Sequence, residues 1–460
     1  MPSPISSPVA PLPSPAAVAV LPAARLAYVI RHFRLSYAEV PNVRIGYAAA
    51  QPEISIKDGA GVFFTQTLPY PPAPNQREWL GKQVPFFFDS SPDAPLLELE
   101  PGHAIINADI ISAAFYLLSG WQEYYSDTRD RHGRFPYAAS VQAQYGFVAL
   151  PVVNYYFDVL KTAVEHVTGQ RLRARAWPAG ARFAAFISHD IDNLHSAWKG
   201  PVKAALKRGQ LLQFGTMMCR HLTQPDAWDN LEAVAAATAA YGAQSTFFIL
   251  PEHRPGANGT PNADYGLSPQ LKNRLLALRQ QGGELGLHGS IGTATEARRL
   301  TQELQKLRME PQGLRFHYLR WEPRHTPALV DAIGFAYDST LAFAEHFGFR
   351  HSYCLPFFPF DFASGAAHHF LEIPLNVMDA TLHHPSYLQL RPEEILPALQ
   401  PMLAEIERFG GVATVLWHNE NFDPANNKNG PQQFAQLMSY LQQHGTAFLT
   451  GTEICQAFRN

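Results

Sequence analysis

The run FAAFISHDIDNLH, residues 183–195, ends an apolar stretch with two aspartates two places apart, Asp190 and Asp192. Side chains alternate along a strand, so these carboxylates share one face while His189 and Ile191 take the other. Two like charges so close raise one pKa unless a cation or a strong donor intervenes. A metal ion resolves that conflict. The ordinary alternative is a polar strand end in which Asp192 or Asn193 caps the segment that follows.

Other apolar runs end in the same fashion: His288 in GELGLHGS, Arg315 and His317 in GLRFHYLRW, Asp338 in GFAYD and His418 in VATVLWHN. One strand-end histidine is ordinarily a hydrogen-bonded structural residue, but several converging from separate strands define a site. Aspartate with two histidines suits a divalent ion, zinc above all, and leaves a position open for water. Such an ion lowers the pKa of the water it holds towards ~7 and polarises a carbonyl. With Asp192 on the ion, Asp190 is free to serve as base, and His418, from a distant strand, can protonate a leaving group. The cysteines, Cys219, Cys354 and Cys455, form no CxxC pair, so the ligands must be histidine and carboxylate.

These residues need elements that bring them to one place. From residue 182 onwards short apolar runs alternate with helical patterns: RFAAFISHD, AQSTFFIL, GELGLH, QGLRFHY, FAYDS, HFLEIPL, VATVLWH and TAFLT read as strands, and the stretches between most of them as helices. Alternation of this kind implies parallel strands with right-handed crossovers. About seven units point to a (β/α) barrel, whose working residues sit at the C-terminal strand ends. Before it, RLAYVIRHF, VRIGYAA, GAGVFFTQ and QVPFFFD read as strands and turns, and ADIISAAFYLLSGWQEYY and PVVNYYFDVLKTAVEHV as helices. The expected organisation is a flexible arm over 1–20, a smaller N-terminal α/β domain of unknown role over 21–175, and a distorted (β/α) barrel over 176–460.

Composition limits the partners. The chain has 460 residues, 46% hydrophobic and 16% charged, with a formal charge of -3. That balance fits a compact protein and gives no reason to expect nucleic acid or an anionic membrane. No run is long enough to span a bilayer, and the proline-interrupted N-terminus lacks a basic n-region, so no signal peptide and a cytoplasmic place are expected. Oligomeric state is not legible.

Taken together, FISHDID, GELGLHGS, GLRFHYLRW, GFAYDST and VATVLWHN resemble, in order and spacing, the motifs of the polysaccharide deacetylases, the chitooligosaccharide-deacetylase group of carbohydrate esterases. The likeness covers about 180–460, and YGAQSTFFIL and LEIPLNVMD resemble a bacterial subgroup with an extra N-terminal domain. The resemblance implies a distorted barrel, a divalent metal and hydrolysis of an N- or O-acetyl group on a saccharide. It implies Asp190 as catalytic base, Asp192 as metal ligand, His288 as first metal histidine, Arg315 as the arginine orienting the base, and His418 as catalytic acid. One departure stands out: the family's second metal histidine, four residues after the first, is Gly292 here. His317 is then expected as third ligand, with His189 as runner-up.

Smaller features are open to two readings. Arg320 and Arg350 offer binding sites for an anionic sugar or ordinary ion pairs, and Trp321 and Trp417 a stacking face for a pyranose or rim packing. Trp121, Tyr124 and Tyr125 fit core better than a sugar platform, and His383 and His384 fit a surface loop better than a metal cluster. Two rivals accompany the deacetylase expectation: a glycan-binding or regulatory protein that keeps the barrel without the metal, and a metal-free glycoside hydrolase using Asp190 and a second acid.

Overall fold

The structure, a computed structural model, describes residues 18–257 and 259–459. All but the end of the expected N-terminal arm lies outside the described residues. The N-terminal unit opens on a helix, Pro22–Leu35, where strands and turns were expected. The helical period is present in RLAYVIRHF: Arg25, Tyr28, Val29, His32 and Phe33 are buried at spacings of three and four. GAGVFFTQ is likewise no strand but a single 3-10 turn, Phe63–Thr65. A four-stranded sheet follows, in the spatial order Ile45–Tyr47, Ile54–Ile56, His103–Ile106, Leu97–Glu100. Helices Ile110–Leu118 and Val152–Thr168 are apolar and largely buried. Gly120, with φ of +68°, separates the first of these from the short helix Trp121–Tyr125. A positive φ suits glycine there because no Cβ is present to clash.

The second region contains the sheet that positions the site. Its strands, numbered here from one, are β1 (Ala184–Ile191), β2 (Thr246–Ile249), β3 (Glu284–Gly289), β4 (Gly313–Phe316), β5 (Tyr337–Asp338), β6 (Leu371–Glu372), β7 (Val377–Met378), β8 (Val412–Leu416) and β9 (Ala447–Phe448). They pair in the order β6-β5-β4-β3-β2-β1-β8-β7, with β9 also on β1, and every pairing is parallel. Only residues 373–376 join the two edge strands, β6 and β7. Eight strands laid flat at ~4.8 Å spacing would hold those edges ~34 Å apart, whereas five backbone steps reach at most ~18 Å. The sheet is therefore rolled, and the fold is a distorted (β/α) barrel. Helices such as Pro269–Gln280, Ala297–Leu307 and Pro392–Arg408 fill the crossovers.

The two regions share one apolar core. Tyr124 stacks on Phe362 with ring centroids 3.9 Å apart, and Trp121 packs against the same ring. Arg350, buried, makes a bidentate pair with buried Glu123 at 2.7 and 2.5 Å. Arg350 is thus an internal staple rather than an anion-binding side chain, and the aromatics of the Trp121 helix belong to the seam.

Candidate active site

Alternation along β1 sends Asp190 towards the barrel interior and His189 to the outside. His189 Nδ1 donates to the Trp417 carbonyl at 2.7 Å, and Nε2 accepts from the Ser245 hydroxyl at 3.2 Å with the Thr238 hydroxyl 3.3 Å away. Burial pushes its pKa down to about 4. With both nitrogens engaged away from Asp192, His189 is not available as a ligand.

On the inner face Arg315 Nη1 donates to Asp190 Oδ1 at 2.9 Å and to Ser188 Oγ at 2.9 Å. The Ser339 carbonyl and hydroxyl accept from Nε and Nη2, so the guanidinium is fixed on every side. Its plane lies over Phe248, 4.3 Å from the ring centroid. Phe248 fits only because position 286 is glycine: a Cβ there would stand 2.4 Å from the ring. Gly286, Phe248, Arg315 and Asp190 form one mechanical series, each setting the next.

Asp192, His288 and His317 meet at the strand ends, with candidate ligand atoms within 4.8 Å of one another. His288 Nε2 is 3.4 Å from Asp192 Oδ1 and 3.5 Å from Asp190 Oδ2; His317 Nε2 is 3.3 Å from Asp192 Oδ2. His288 Nδ1 donates to the Arg315 carbonyl at 2.8 Å, which leaves the Nε2 lone pair facing the carboxylates. Asn262 Oδ1 lies 3.5 Å from His317 Nδ1. Lone pairs pointed at carboxylates are stable only with positive charge between them. Asp192 Oδ1 is moreover buried without a hydrogen-bond partner. The spacings of 3.4 and 3.3 Å, one from each Asp192 oxygen to a histidine, leave room for one ion with ligand arms of ~2.0–2.1 Å. These residues fit a divalent ion.

His317 lies one residue beyond β4, at the start of a tight turn in which Tyr318 and Leu319 have φ of 59° and 53°. That turn, rather than strand alternation alone, brings its ring to Asp192. Gly292 has φ of +94°, and Arg299 Nη1 would be 2.4 Å from a Cβ there; no side chain reaches the site from this position.

His418 follows β8, with Nε2 3.9 Å from Asp192 Oδ2. Its Nδ1 is 2.7 Å from Asp379 Oδ1, a residue that sequence inspection missed. Asp379 is fully buried after β7 and also accepts from the His418 backbone N–H and from Asn421, each at 2.6 Å. Burial would lower the His418 pKa, but Asp379 foremost, then Asp192 and Asp190, push it up to about 10. The imidazole is a cation at neutral pH, with its outer N–H towards the carboxylates. The signal for Asp379 was NVMD, another carboxylate closing an apolar run, but a two-residue strand is too short to recognise.

Other expected site residues are not brought together. Trp321 and Trp417 are 2% and 0% exposed and pack in the core, so neither presents a ring face to a sugar. Arg320 Nη1 donates to the His132 carbonyl at 2.5 Å and serves the seam between the two regions. Asp338 turns to the Thr340 N–H and hydroxyl and pairs in register with Glu372; burial pushes its pKa up to about 6. His383 is tied to the Asp379 carbonyl. The rim also gains a contribution from the N-terminal region: His132 stacks on Tyr318 at 4.9 Å and 9°, and Tyr318 adjoins the His317 ring at 4.2 Å.

Residues 24–169 match a family of unknown function (DUF7033). No curated protein matches the chain. Among solved structures, the chain is similar to a probable polysaccharide deacetylase from Pseudomonas aeruginosa PAO1 at 15% identity, covering 63% of this chain and 95% of that one, with a TM-score of 0.43. It is similar to Puue allantoinase at 16% identity, covering 62% and 92%, with a TM-score of 0.41. The catalytic domain of a peptidoglycan N-acetylglucosamine deacetylase from Eubacterium rectale ATCC 33656 matches at 11% identity over 61% and 94%, with a TM-score of 0.31. Scores at this level add nothing to the barrel that strand order and register establish.

Proposed function

We propose that this chain is a metal-dependent hydrolase that removes acetyl groups, N- or O-linked, from a saccharide. The observation that supports this most is the convergence of three potential ligands, Asp192, His288 and His317, between a base held by an arginine and a histidine held by an aspartate. The motif order from FISHDID to VATVLWHN points the same way. Asp192, His288 and His317 hold the ion, most suitably zinc, which when bound polarises the acyl carbonyl and makes water more acidic.

The protein's own groups carry the proton traffic. Arg315 ties down Asp190 Oδ1, so Oδ2 is the oxygen that takes a proton as water attacks the acyl carbon. His418 brings the second proton from Nε2 to the departing nitrogen or oxygen as its bond to that carbon breaks, and acetate leaves. Asp379 keeps the imidazole protonated and turned with Nε2 towards the site. The arrangement separates base and acid on either side of the ligands, which acyl transfer to water requires.

Metal content and acetate release, measured on purified protein with acetylated chitooligosaccharides and acetylated xylan as probes, test the proposal together. Asp192→Ala, His288→Ala and His317→Ala should each lose both the stoichiometric ion and activity, and chelation followed by zinc should remove and restore activity. Wild-type protein with neither a stoichiometric ion nor acetate release would overturn it in favour of a non-catalytic barrel.

A further inference from the structure

Directly after the Asp192 strand end the chain leaves the barrel as a helical hairpin, α1 (Lys199–Lys207) and α2 (Leu211–Thr223). α1 buries Val202 and Ala205, whereas α2 buries no residue at all. Leu206, Leu211, Leu212 and Leu222 are 55%, 69%, 91% and 77% exposed. An exposed leucine is common by itself; a group of four on one projecting element is not. On α2, Leu211, Phe214, Met218 and Leu222 recur at spacings of three and four, so they share one face, and Arg220 falls on the opposite side.

Charge is equally one-sided. Between Asp192 and Asp226 there is no acidic residue, while Lys199, Lys203, Lys207, Arg208 and Arg220 lie there. Lys199, Lys203 and Lys207 repeat every four residues along α1 and are exposed. None of the five cations makes an ion pair among the described residues, although the chain as a whole is acidic by three charges. Exposed leucines lose by remaining in water, and leucines beside unpaired cations gain from an interface that offers both hydrocarbon and negative charge.

We propose that the Lys199–Thr223 hairpin is a docking surface for an anionic lipid membrane. Apolar side chains enter the boundary between headgroups and acyl chains while the lysines meet anionic headgroups, the division of labour of helices that lie in a membrane interface. A second copy of the chain is a poor occupant, because it would set five cations against five. Nucleic acid would answer the charge but not the leucines. No helix among the described residues is long and apolar enough to cross a membrane, so the contact is superficial.

Co-sedimentation with vesicles of phosphatidylcholine plus phosphatidylglycerol, and with phosphatidylcholine alone, tests this without any assay of activity. The full chain should bind the anionic vesicles, release from them as salt rises, and ignore the neutral ones. Leu211→Ser with Leu212→Ser, and separately Lys199→Glu, Lys203→Glu and Lys207→Glu together, should each weaken binding by about tenfold or more while leaving the thermal unfolding midpoint in place. Absence of wild-type binding, equal binding to neutral vesicles, or variants that bind as the wild type does would each overturn the proposal. So would a self-association in sedimentation velocity that the leucine variant abolishes in protein that does not bind vesicles.

Discussion

Arg350–Glu123 and Arg315–Asp190 are both buried arginine–carboxylate pairs, but only the second lies at the candidate site. Arg350 meets Glu123 with two nitrogens on two oxygens, at 2.7 and 2.5 Å, in the seam between the two regions. Arg315 meets Asp190 through one nitrogen on one oxygen, and spends its other donors on Ser188 and Ser339. Asp190 Oδ2 is left 3.5 Å from His288. Burial and charge are alike in the two pairs; the uncommitted oxygen is what differs. A carboxylate whose acceptors are all occupied holds elements together, and one with an acceptor to spare can receive a proton.

The sharpest way to break this contrast is to remove one partner from each pair. Asp190→Asn should reduce the turnover of acetylated substrate by about 10²–10⁴ while retaining a stoichiometric ion. Full activity in that variant would remove Asp190 from the chemistry.

The staple should fail in the opposite sense. Arg350→Ala leaves Glu123 buried without its partner and should lower unfolding free energy by about 3–5 kcal/mol, read by denaturant titration, while the metal content of the folded protein is kept. Burial alone would raise the Glu123 carboxyl, but Arg350 holds it below its ordinary range. The pair therefore adds stability above the unfolded pKa of about 4.3, and that contribution is lost as pH falls through the lower folded value. In Arg350→Ala this acid-side loss should reverse in sign, because burial alone raises the Glu123 carboxyl and protonation then favours the folded state. Persistence of the loss would show that the pair is not its source.

A subtler change separates positioning from chemistry at His418. Its pKa is pushed up to about 10 with Asp379 as the main positive influence against burial. A raised histidine stays protonated until pH approaches that value, so the acid remains competent through neutrality. Asp379→Asn should move the alkaline limb of kcat/KM to lower pH and cost about tenfold or more at neutral pH, with metal content unchanged. An unmoved limb would mean that Asp379 does not govern the protonation of His418.

How far the sequence disclosed this architecture depends on the length of each signal. Strands of four or more residues in continuous apolar runs, such as AAFISHDI and VATVL, are legible because both faces are buried. Val377–Met378 is not, since two residues carry no period. The first helix was obscured because its apolar residues are interleaved with arginine and histidine that are themselves buried, Arg25 and His32. Trp321, Trp417 and Arg350 have residue types that suit a binding surface or a core equally, and only burial separates the two. The cationic hairpin was concealed by its own dilution: a chain-wide charge of -3 averages away five basic residues that fall within one acid-free stretch.

Residue type and local spacing by themselves determined that Asp190 and Asp192 share a face, that histidines close several parallel strands, and that position 292 has no side chain with which to bind an ion. Those are properties of one strand or turn at a time, set by the two-residue repeat of the extended chain. Only the tertiary structure decided that His317 stands where it can join Asp192 and His288, that His189 turns away into hydroxyl partners, and that Asp379 rather than a neighbour in sequence holds His418. The reason lies in the closure of the sheet. Residues 373–376 draw its two edges together, and contacts between side chains far apart in the chain depend on that curvature, which no single segment encodes.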